Sequence, residues 1–375
     1  SGGGGIQNQG GTLTMTNVTL SGNKASSDGD GLFNSGTLTL ANTVIALNIG
    51  GTGTDISQSS FSGSITDLGN NHIMSTAGNH GIIDGNNIDP LFVMDVDQTS
   101  LPNQSGDLRL SCGSPAIDAG QDTTGLGLGP VDLDGLPRVA GSMIDKGAYE
   151  RKVGSSLLLV NRADDSGVGS LRQVVGAACP GDTIRFSSQL NGEEIVVSNS
   201  QIIIDKNLVI LGNDSDQTII SGGNTSRIFY IAEGDTSAIQ QMRIQNGNDK
   251  NEVLSEQGGA ISNHGTLTLA YTEFVNNEAS KGGALGNDIT GTLNVVFSTV
   301  SGNNGVVNGG AIYNNAGEVN ISNSIISGNE SASAGAFYNQ DGSSSITNSV
   351  LSGNLGLNQA GCITNNNGFI SIKNA

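Results

Sequence analysis

One pattern of sequence repeats four times near the C-terminus: GGAISNHGTLTLAYTEFVNNEASK (258–281), GGALGNDITGTLNVVFSTVSGNNGVVN (282–308), GGAIYNNAGEVNISNSIISGNESASA (309–334) and GAFYNQDGSSSITNSVLSGNLGLNQ (335–359). In each copy an asparagine follows the last apolar run, and these residues are Asn277, Asn303, Asn329 and Asn354. The intervals between them are 26, 26 and 25 residues. A period of this length is typical of solenoids, in which each repeat forms one coil.

The same pattern occurs near the N-terminus, in GTLTMTNVTLSGN (11–23) and GTLTLANTVIALN (36–48). These copies end at Asn23 and Asn48, which are again 25 residues apart. Since a long irregular stretch separates the two groups of repeats, we predict two tandem modules. Residues 1–150 are expected to be the C-terminal part of one β-helix module with an irregular tail from residue 49. Residues 151–375 are expected to be the N-terminal cap and coils of a second module.

Each coil contains three short apolar runs, which in the coil from Gly258 are residues 260–261, 266–269 and 272–274. Leu267 and Leu269 alternate with threonines, and this is the period of a half-buried strand. Gly-Asn, Asn-Gly and Ser-Gly steps between the runs are typical of turns. Three strands joined by turns close one rung of a right-handed parallel β-helix. The predicted fold class is therefore all-β.

Stacking of rungs explains how such a thin core is buried. Neighbouring rungs pair about 4.8 Å apart, so equivalent residues should form columns: Leu269, Val295, Ile321 and Ile346 in one, and Phe274, Val300, Ile326 and Leu351 in another. The recurrent asparagines are predicted to form a structural ladder of bonded amides, in the left-handed conformation that Asn tolerates. The alternative is that this column of asparagines forms a surface that recognises a ligand. A leucine-rich repeat has a similar period, but it needs a denser leucine pattern.

Residues 155–190 are predicted to cap the N-terminal end of the second module. SLLLV (156–160) is expected to form a strand, and residues 170–178 a short helix with Ser170 as its N-cap. The apolar side chains of this helix fall on one face: Leu171, Val174, Val175 and Ala178. This face would cover the end of the core, because an open β-helix exposes unpaired strand edges there.

Composition and charge exclude several partners. The net charge is −19, which repels nucleic-acid phosphates and anionic membranes. No stretch of sequence has the apolar length of a membrane span. The three cysteines, Cys112, Cys179 and Cys362, are too few for a disulfide framework. A bridge between the first two and burial as small core residues are both open.

Several motifs resemble known proteins. GSLRQVVGAACPGDTIRF (169–186) resembles the opening of right-handed β-helix surface proteins of bacteria. GGAI (258–261) and FVNN (274–277) are similar to the repeats of polymorphic outer membrane proteins. SPAIDAG, DLDGLPR and DKGAYE, which lie within residues 114–150, resemble the choice-of-anchor Q domain that often ends such helices. The resemblance implies secretion, surface display and often adhesion, and it leaves the mode of anchoring open.

A polysaccharide-cleaving enzyme is the main rival, because pectin lyases and hydrolases share this fold, and fold alone does not fix function. Such enzymes need paired carboxylates, or calcium with a basic residue. Glu273, Glu318 and Glu330 are isolated in the sequence pattern, and Lys281 and Lys373 do not accompany an acidic cluster. The histidines, which are His72, His80 and His264, share no metal-binding spacing. We therefore predict no catalytic residues and no enzymatic activity.

Calcium is the only cofactor that the sequence suggests. Asp132 and Asp134, in VDLDG, would point the same way in a strand and could offer oxygen ligands. Asp118 and Asp145 could join them in the folded tail. The alternative is that these aspartates form turns and pack the tail.

The function expected from the sequence is an extracellular structural or adhesive repeat module of a bacterial surface protein or fibre. Its partners would be further copies, stacked head to tail through open β-helix ends, or neighbouring repeats of one polypeptide. A processed subunit and a slice of a longer tandem array are both open. A glycan or host-surface ligand is expected for an adhesin. The alternative function is a carbohydrate-binding or polysaccharide-cleaving β-helix protein.

Overall fold

The structure of the chain is a computed structural model. It describes residues 3–27, 29–51, 54–59, 63–77, 88–99, 101, 106–121, 129–139, 141–151, 157–198, 200–249 and 257–375. The chain forms two compact units, Ser1–Val153 and Gly154–Ala375. Parallel sheets build about twelve solenoid turns in all. The predicted all-β parallel β-helix is therefore confirmed.

Unit 1 contains short strands and, among its described residues, no helix. The strands are β1 (Ile6–Asn8), β2 (Thr12–Thr16), β3 (Thr19–Ser21), β4 (Lys24–Ala25), β5 (Leu32–Asn34), β6 (Thr37–Ala41), β7 (Val44–Ala46), β8 (Ile49–Gly50), β9 (Ile56–Gln58), β10 (Ser64–Asp67), β11 (His72–Ile73), β12 (Thr76–Ala77), β13 (Phe92–Met94) and β14 (Asp107–Leu110).

Unit 2 begins with strand β15 (Leu157–Val160), helix α1 (Leu171–Ala177) and a 3₁₀ turn (Ser188–Leu190). Its other strands before residue 250 are β16 (Thr183–Phe186), β17 (Glu194–Val196), β18 (Ile202–Ile204), β19 (Val209–Leu211), β20 (Ile219–Ser221), β21 (Phe229–Ile231), β22 (Thr236–Gln240) and β23 (Arg243–Gln245).

The regular coils follow: β24 (Ile261–Asn263), β25 (Thr266–Ala270), β26 (Glu273–Val275), β27 (Glu278–Lys281), β28 (Leu285–Asn287), β29 (Thr292–Val296), β30 (Thr299–Ser301), β31 (Asn304–Asn308), β32 (Ile312–Asn315), β33 (Glu318–Ser322), β34 (Ile325–Ser327), β35 (Glu330–Ser331), β36 (Phe337–Gln340), β37 (Ser343–Thr347), β38 (Val350–Ser352), β39 (Leu355–Gly356), β40 (Ile363–Asn366) and β41 (Phe369–Lys373).

The β-helix of unit 1 continues past the point where the repeat fades. Strands β9 to β12 pair in parallel with the preceding rung, as in Ser64 with Thr37 and His72 with Val44. Ile56 and Ile73 are buried in the same core as Leu38 and Leu40. The tail expected from residue 49 thus begins with a further rung. Its strands are only two to four residues long, too short to show a period.

Unit 2 has three long parallel sheets and a fourth short one. The first contains nine strands (β15, β16, β19, β22, β25, β29, β33, β37, β41), and two others contain seven each (β17 to β38, and β18 to β40, one per rung). Strands β27, β31, β35 and β39 form the fourth sheet. Three strands per coil were expected, so this sheet is a correction. It forms because residues 278–281 and their equivalents run extended beside one another.

The strand register of unit 2 aligns its apolar residues in columns from rung to rung. Leu269 pairs with Val295, Val295 with Ile321, and Ile321 with Ile346. Phe274, Val300 and Ile326 pair in the same way on the next sheet, and all of these side chains are at most 1 % exposed. Since a strand side chain alternates between faces, this one-to-one register keeps every core residue inside.

The cap of unit 2 is a helix packed on the core. Ser170 is its N-cap, and the Ser170 hydroxyl accepts a hydrogen bond from the Gln173 amide at 3.3 Å. Leu171, Val174 and Val175 are buried and belong to the same apolar cluster as the coils. The apolar helix face predicted from the sequence therefore covers the first rungs.

Candidate functional site

The asparagines at the end of each coil lie in one column. The Nδ2 atoms of Asn277, Asn303 and Asn329 each donate to the Oδ1 of the asparagine one rung further on, at 2.9 Å. That Oδ1 also accepts the backbone amide of the preceding asparagine, at 2.9–3.0 Å. Asn277, Asn303 and Asn329 are at most 1 % exposed. Buried amides must be paired, so this ladder serves the fold.

Unit 1 contains a short ladder of the same kind. Asn23 donates through Nδ2 to Asn48 at 3.0 Å, and Asn48 donates to Asp55 at 2.8 Å. Asp55 also accepts a hydrogen bond from the Ser75 hydroxyl at 2.7 Å. Burial raises the pKa of Asp55, and the hydrogen bonds from Asn48 and Ser75 oppose that shift. Because an ionised carboxylate only accepts hydrogen bonds, Asp55 ends this ladder.

The backbone of the ladder asparagines corrects one expectation. Left-handed φ values belong to the residue before each of them, such as Gly302 (65°), Gly328 (65°) and Gly353 (63°), and not to the asparagine. The glycine and the asparagine of the Ser-Gly-Asn sequence therefore have different roles. Glycine supplies the turn because it lacks a Cβ, and asparagine supplies the bonded amide.

A second ladder lies at another corner of unit 2, and sequence reasoning missed it. Its members are Asn263, Asn287, Asn314, Asn339 and Asn365, joined by Nδ2-to-Oδ1 hydrogen bonds of 2.7–2.8 Å. Their spacings are 24, 27, 25 and 26 residues, so no single period reveals them. The signal that could have found them is a glycine two to four residues after each asparagine.

A hydroxyl column occupies the third corner. The backbone amides of Thr272, Ser298 and Ser324 donate to the hydroxyl of the residue one rung further on, at 3.1–3.2 Å, ending at Ser349. All four side chains are buried. Each of these three corners of the coils is thus closed by a column of buried polar side chains, which we call a polar file.

Asp132 and Asp134 of the tail have different partners. Asp132 accepts the amides of Leu136 (2.7 Å) and Glu150 (2.8 Å), one on each carboxylate oxygen. Asp134 lies 3.9 Å from the Arg109 guanidinium. Burial raises the pKa of Asp134; the Arg109 charge opposes that shift, and Asp132 adds to it.

Asp145 also lies in the tail of unit 1, and its side chain is fully buried. It accepts the amides of Asp118 (2.7 Å) and Arg151 (2.6 Å). Burial raises the pKa of Asp145 to about 6, against these two hydrogen bonds. Within the described residues, no three His, Cys, Asp or Glu side chains converge as metal ligands. Calcium at Asp132 and Asp134 stays a prediction.

Most of the charged side chains that were predicted to be isolated on the outer surface have partners in the structure. Glu273 forms a salt bridge with Arg243 at 2.9 Å, which corrects the expectation of an isolated carboxylate. Glu318 accepts a hydrogen bond from Asn320 at 2.9 Å, and Lys281 lies 5.1 Å from the centre of the Tyr313 ring. His264 is 3.1 Å from Asp288 and stacks on Tyr230. His80 lies outside the described residues.

A shallow groove of about 590 Å³ follows one corner of unit 2 across four rungs. Ile289 and Phe369, exposed by 67 % and 65 %, lie in the first and last of these rungs. Glu318 and Asp341 lie in the two rungs between them. Thr292, Glu318, Ser343 and Phe369 are register partners on the first sheet, so they form one outward column.

The floor of the groove is glycine. The second asparagine ladder donates to the carbonyls of Gly317, Gly342 and Gly368 at 2.8–3.0 Å. A Cβ at Gly342 would lie 2.1 Å from the Asn314 amide nitrogen, and one at Gly368 would lie 2.2 Å from that of Asn339. The ladder therefore requires residues without a Cβ at this corner.

The fold and these ladders define a β-solenoid repeat protein. Comparison with models of protein families gives no match. No curated protein matches the chain either. In the part of the chain that the structure describes, no helix is both long and apolar enough to cross a membrane.

Proposed function

We propose that the chain is an extracellular structural and adhesive module of a bacterial surface protein or fibre. The observation that carries this proposal is the set of buried polar files that close the corners of unit 2, beside apolar columns in one-to-one register. Such a framework holds its shape through contacts between neighbouring rungs. Its outward side chains stay free to vary, because they take no part in the ladders.

The surface location is tested on the cells that produce the protein. An antibody against unit 2 is expected to label intact cells, and external protease is expected to remove that label. Lysed cells are the control for total protein. Label that appears only after lysis would refute the surface role.

The proposal includes self-association by pairing of rung edges, head to tail. Parallel strand edges with unpaired amides are templates for a further strand, and within residues 1–375 strand β41 pairs with β37 on one side. We expect the 375-residue chain to sediment as concentration-dependent oligomers. I372K places a charge at a core-facing position of β41 and should abolish them, whereas F369K on the outward face of that strand should not. A chain that is monomeric at all concentrations would contradict this part.

A further inference from the structure

We propose that the groove between Ile289 and Phe369 binds a linear glycan without acidic groups, with about one sugar ring per rung. Its volume of about 590 Å³ lies within the roughly 300–1,000 Å³ of small-ligand sites. The inference deepens the adhesive part of the proposed function and rests on it for its biological role. The binding itself is a property of unit 2.

The length of the groove fits an oligosaccharide. Ile289 and Phe369 lie three rungs apart, and rungs are spaced by about 4.8 Å. The channel is therefore roughly 14 Å long. That spacing is close to the length of one β-linked hexose unit, so a tetramer would place successive rings over successive rungs.

The two ends of the groove supply apolar contact. A pyranose ring has an apolar face made of C–H groups, and such faces pack on aromatic and aliphatic side chains. The Phe369 ring is 65 % exposed and Ile289 is 67 % exposed, although both lie beside a buried core. Exposed side chains of this size at both ends suit a ligand that is partly apolar.

The middle of the groove supplies hydrogen bonds. Glu318 and Asp341 offer carboxylate oxygens, which accept strong hydrogen bonds from hydroxyl or ammonium groups. Thr292 and Ser343 add hydroxyls on the same side. The lining contains no Lys or Arg, and the chain carries a net charge of −19. An anionic polysaccharide would therefore be repelled, and a neutral or amino-sugar chain is favoured.

The floor of the groove is formed by glycines that the asparagine ladder holds in place. Gly291, Gly317, Gly342 and Gly368 line the channel. The first three are buried, and all four carbonyls accept hydrogen bonds from the asparagine ladder, so the side chains beside this floor make the contacts with the sugar. Because these glycines are required by the asparagine ladder, the channel is rigid before any ligand arrives. A rigid site loses less entropy on binding than one that must be ordered.

The test is isothermal titration of the 375-residue chain with cellotetraose, a β-1,4-linked glucosamine tetramer and tetragalacturonate. The first two are expected to bind and the acidic tetramer is not. F369S and E318A should each weaken binding at least about tenfold, which is about 1.4 kcal/mol. Both side chains point outward, so the melting temperature should stay close to that of the wild type.

Matched controls separate this site from general surface effects. V306S removes an apolar side chain of similar exposure (48 %) from the fourth sheet, and E330A removes an exposed carboxylate from β35. Both should leave affinity within about twofold. The inference is overturned if neither uncharged nor amino tetramer binds at millimolar concentration, if F369S and E318A bind as the wild type does, or if tetragalacturonate binds best. Surface labelling of cells is a separate measurement, so the location and the groove can fail independently.

Discussion

Tyr271 and Phe297 stack on each other across neighbouring rungs, with ring centroids 5.2 Å apart and planes inclined by 7°. Both backbones are left-handed, with φ of 54° and 47°. At the same turn in the next two rungs the residues are Asn323 and Asn348, with φ of 50° and 48°. The left-handed region costs an ordinary residue about 1–2 kcal/mol, and Asn much less. The aromatic pair is therefore strained at a turn where the next two rungs carry asparagine.

The variant Y271N/F297N should be more stable than the wild type. It relieves strain at two positions and loses one ring stack, which is worth about 0.5–1.5 kcal/mol. The net gain of about 1 kcal/mol should raise the melting temperature by roughly 2–4 °C in calorimetry. V306N/V307N, which replaces exposed residues with extended backbones, is the control and should give no rise. A fall in the melting temperature of Y271N/F297N would contradict the strain argument.

Asn303 should be among the least replaceable polar residues of unit 2. N303A leaves the Asn277 amide groups and the Phe274 carbonyl without their partner. Each buried group left unpaired costs about 1–3 kcal/mol, so we expect a loss of at least about 3 kcal/mol in urea unfolding. N303D should cost more, because its second oxygen would face the acceptors that Nδ2 now bonds.

The control for Asn303 is N320A. Asn320 lies on the outward side of β33 and is half-buried, with hydrogen bonds to Asn294 (3.2 Å) and Glu318 (2.9 Å). Its loss should cost less than about 1 kcal/mol, since water can replace these partners. Equal effects of N303A and N320A would show that the inner ladder contributes little.

The buried ion pair between Arg227 and Asp249 should be sensitive to removal of one partner. Their side chains are only 4 % and 3 % exposed. Arg227 also donates to the Gly258 carbonyl (2.8 Å) and to Gln201 (2.6 Å). D249N leaves a buried guanidinium without its counter-charge, which typically costs about 3–5 kcal/mol. D164N breaks the exposed pair with Arg162 and should change the unfolding free energy by under about 1 kcal/mol.

Asp145 should make unit 1 more stable in mild acid than at neutral pH. Its native pKa of about 6 is above the ordinary value of 3.8, so the native state binds the proton more tightly than the unfolded state. Stability therefore falls as pH rises from about 4 to about 6. Thermal unfolding between pH 4.5 and 7.5 should show this slope. D145N should flatten it, whereas D164N should not; a slope unchanged in D145N would assign the effect to other carboxylates.

The fold could be predicted from the sequence, because the residues that recur with the period of the coils are those that must align in the core. Leu269 and Val295 have no other way to be buried than in register, so their spacing predicted the columns. The second asparagine ladder escaped notice because the loops after Asn263 and Asn287 differ in length, which hides the period. The further rung of unit 1, up to Ala77, escaped notice because its strands are too short to alternate visibly.

The groove could not be derived from the sequence. Ile289 and Phe369 are 80 positions apart and look like two more apolar residues of a repetitive chain. Only the pairing of rungs shows that they lie at one corner, with Glu318 and Asp341 between them. The salt bridge of Arg243 with Glu273 was hidden for the same reason, since their adjacency depends on register.

In the two long files of unit 2, each asparagine Nδ2 donates to the Oδ1 of the asparagine one rung further on, and in the hydroxyl file each backbone amide donates to the next hydroxyl. These side-chain hydrogen bonds give the turns of unit 2 a direction, because the donor is in one rung and the acceptor in the rung that follows it in the chain. In unit 1 the short ladder ends at Asp55, which accepts hydrogen bonds from Asn48 and Ser75. The direction of donation is thus set at the turns, and in unit 1 an aspartate, whose ionised oxygens only accept hydrogen bonds, brings the ladder to an end.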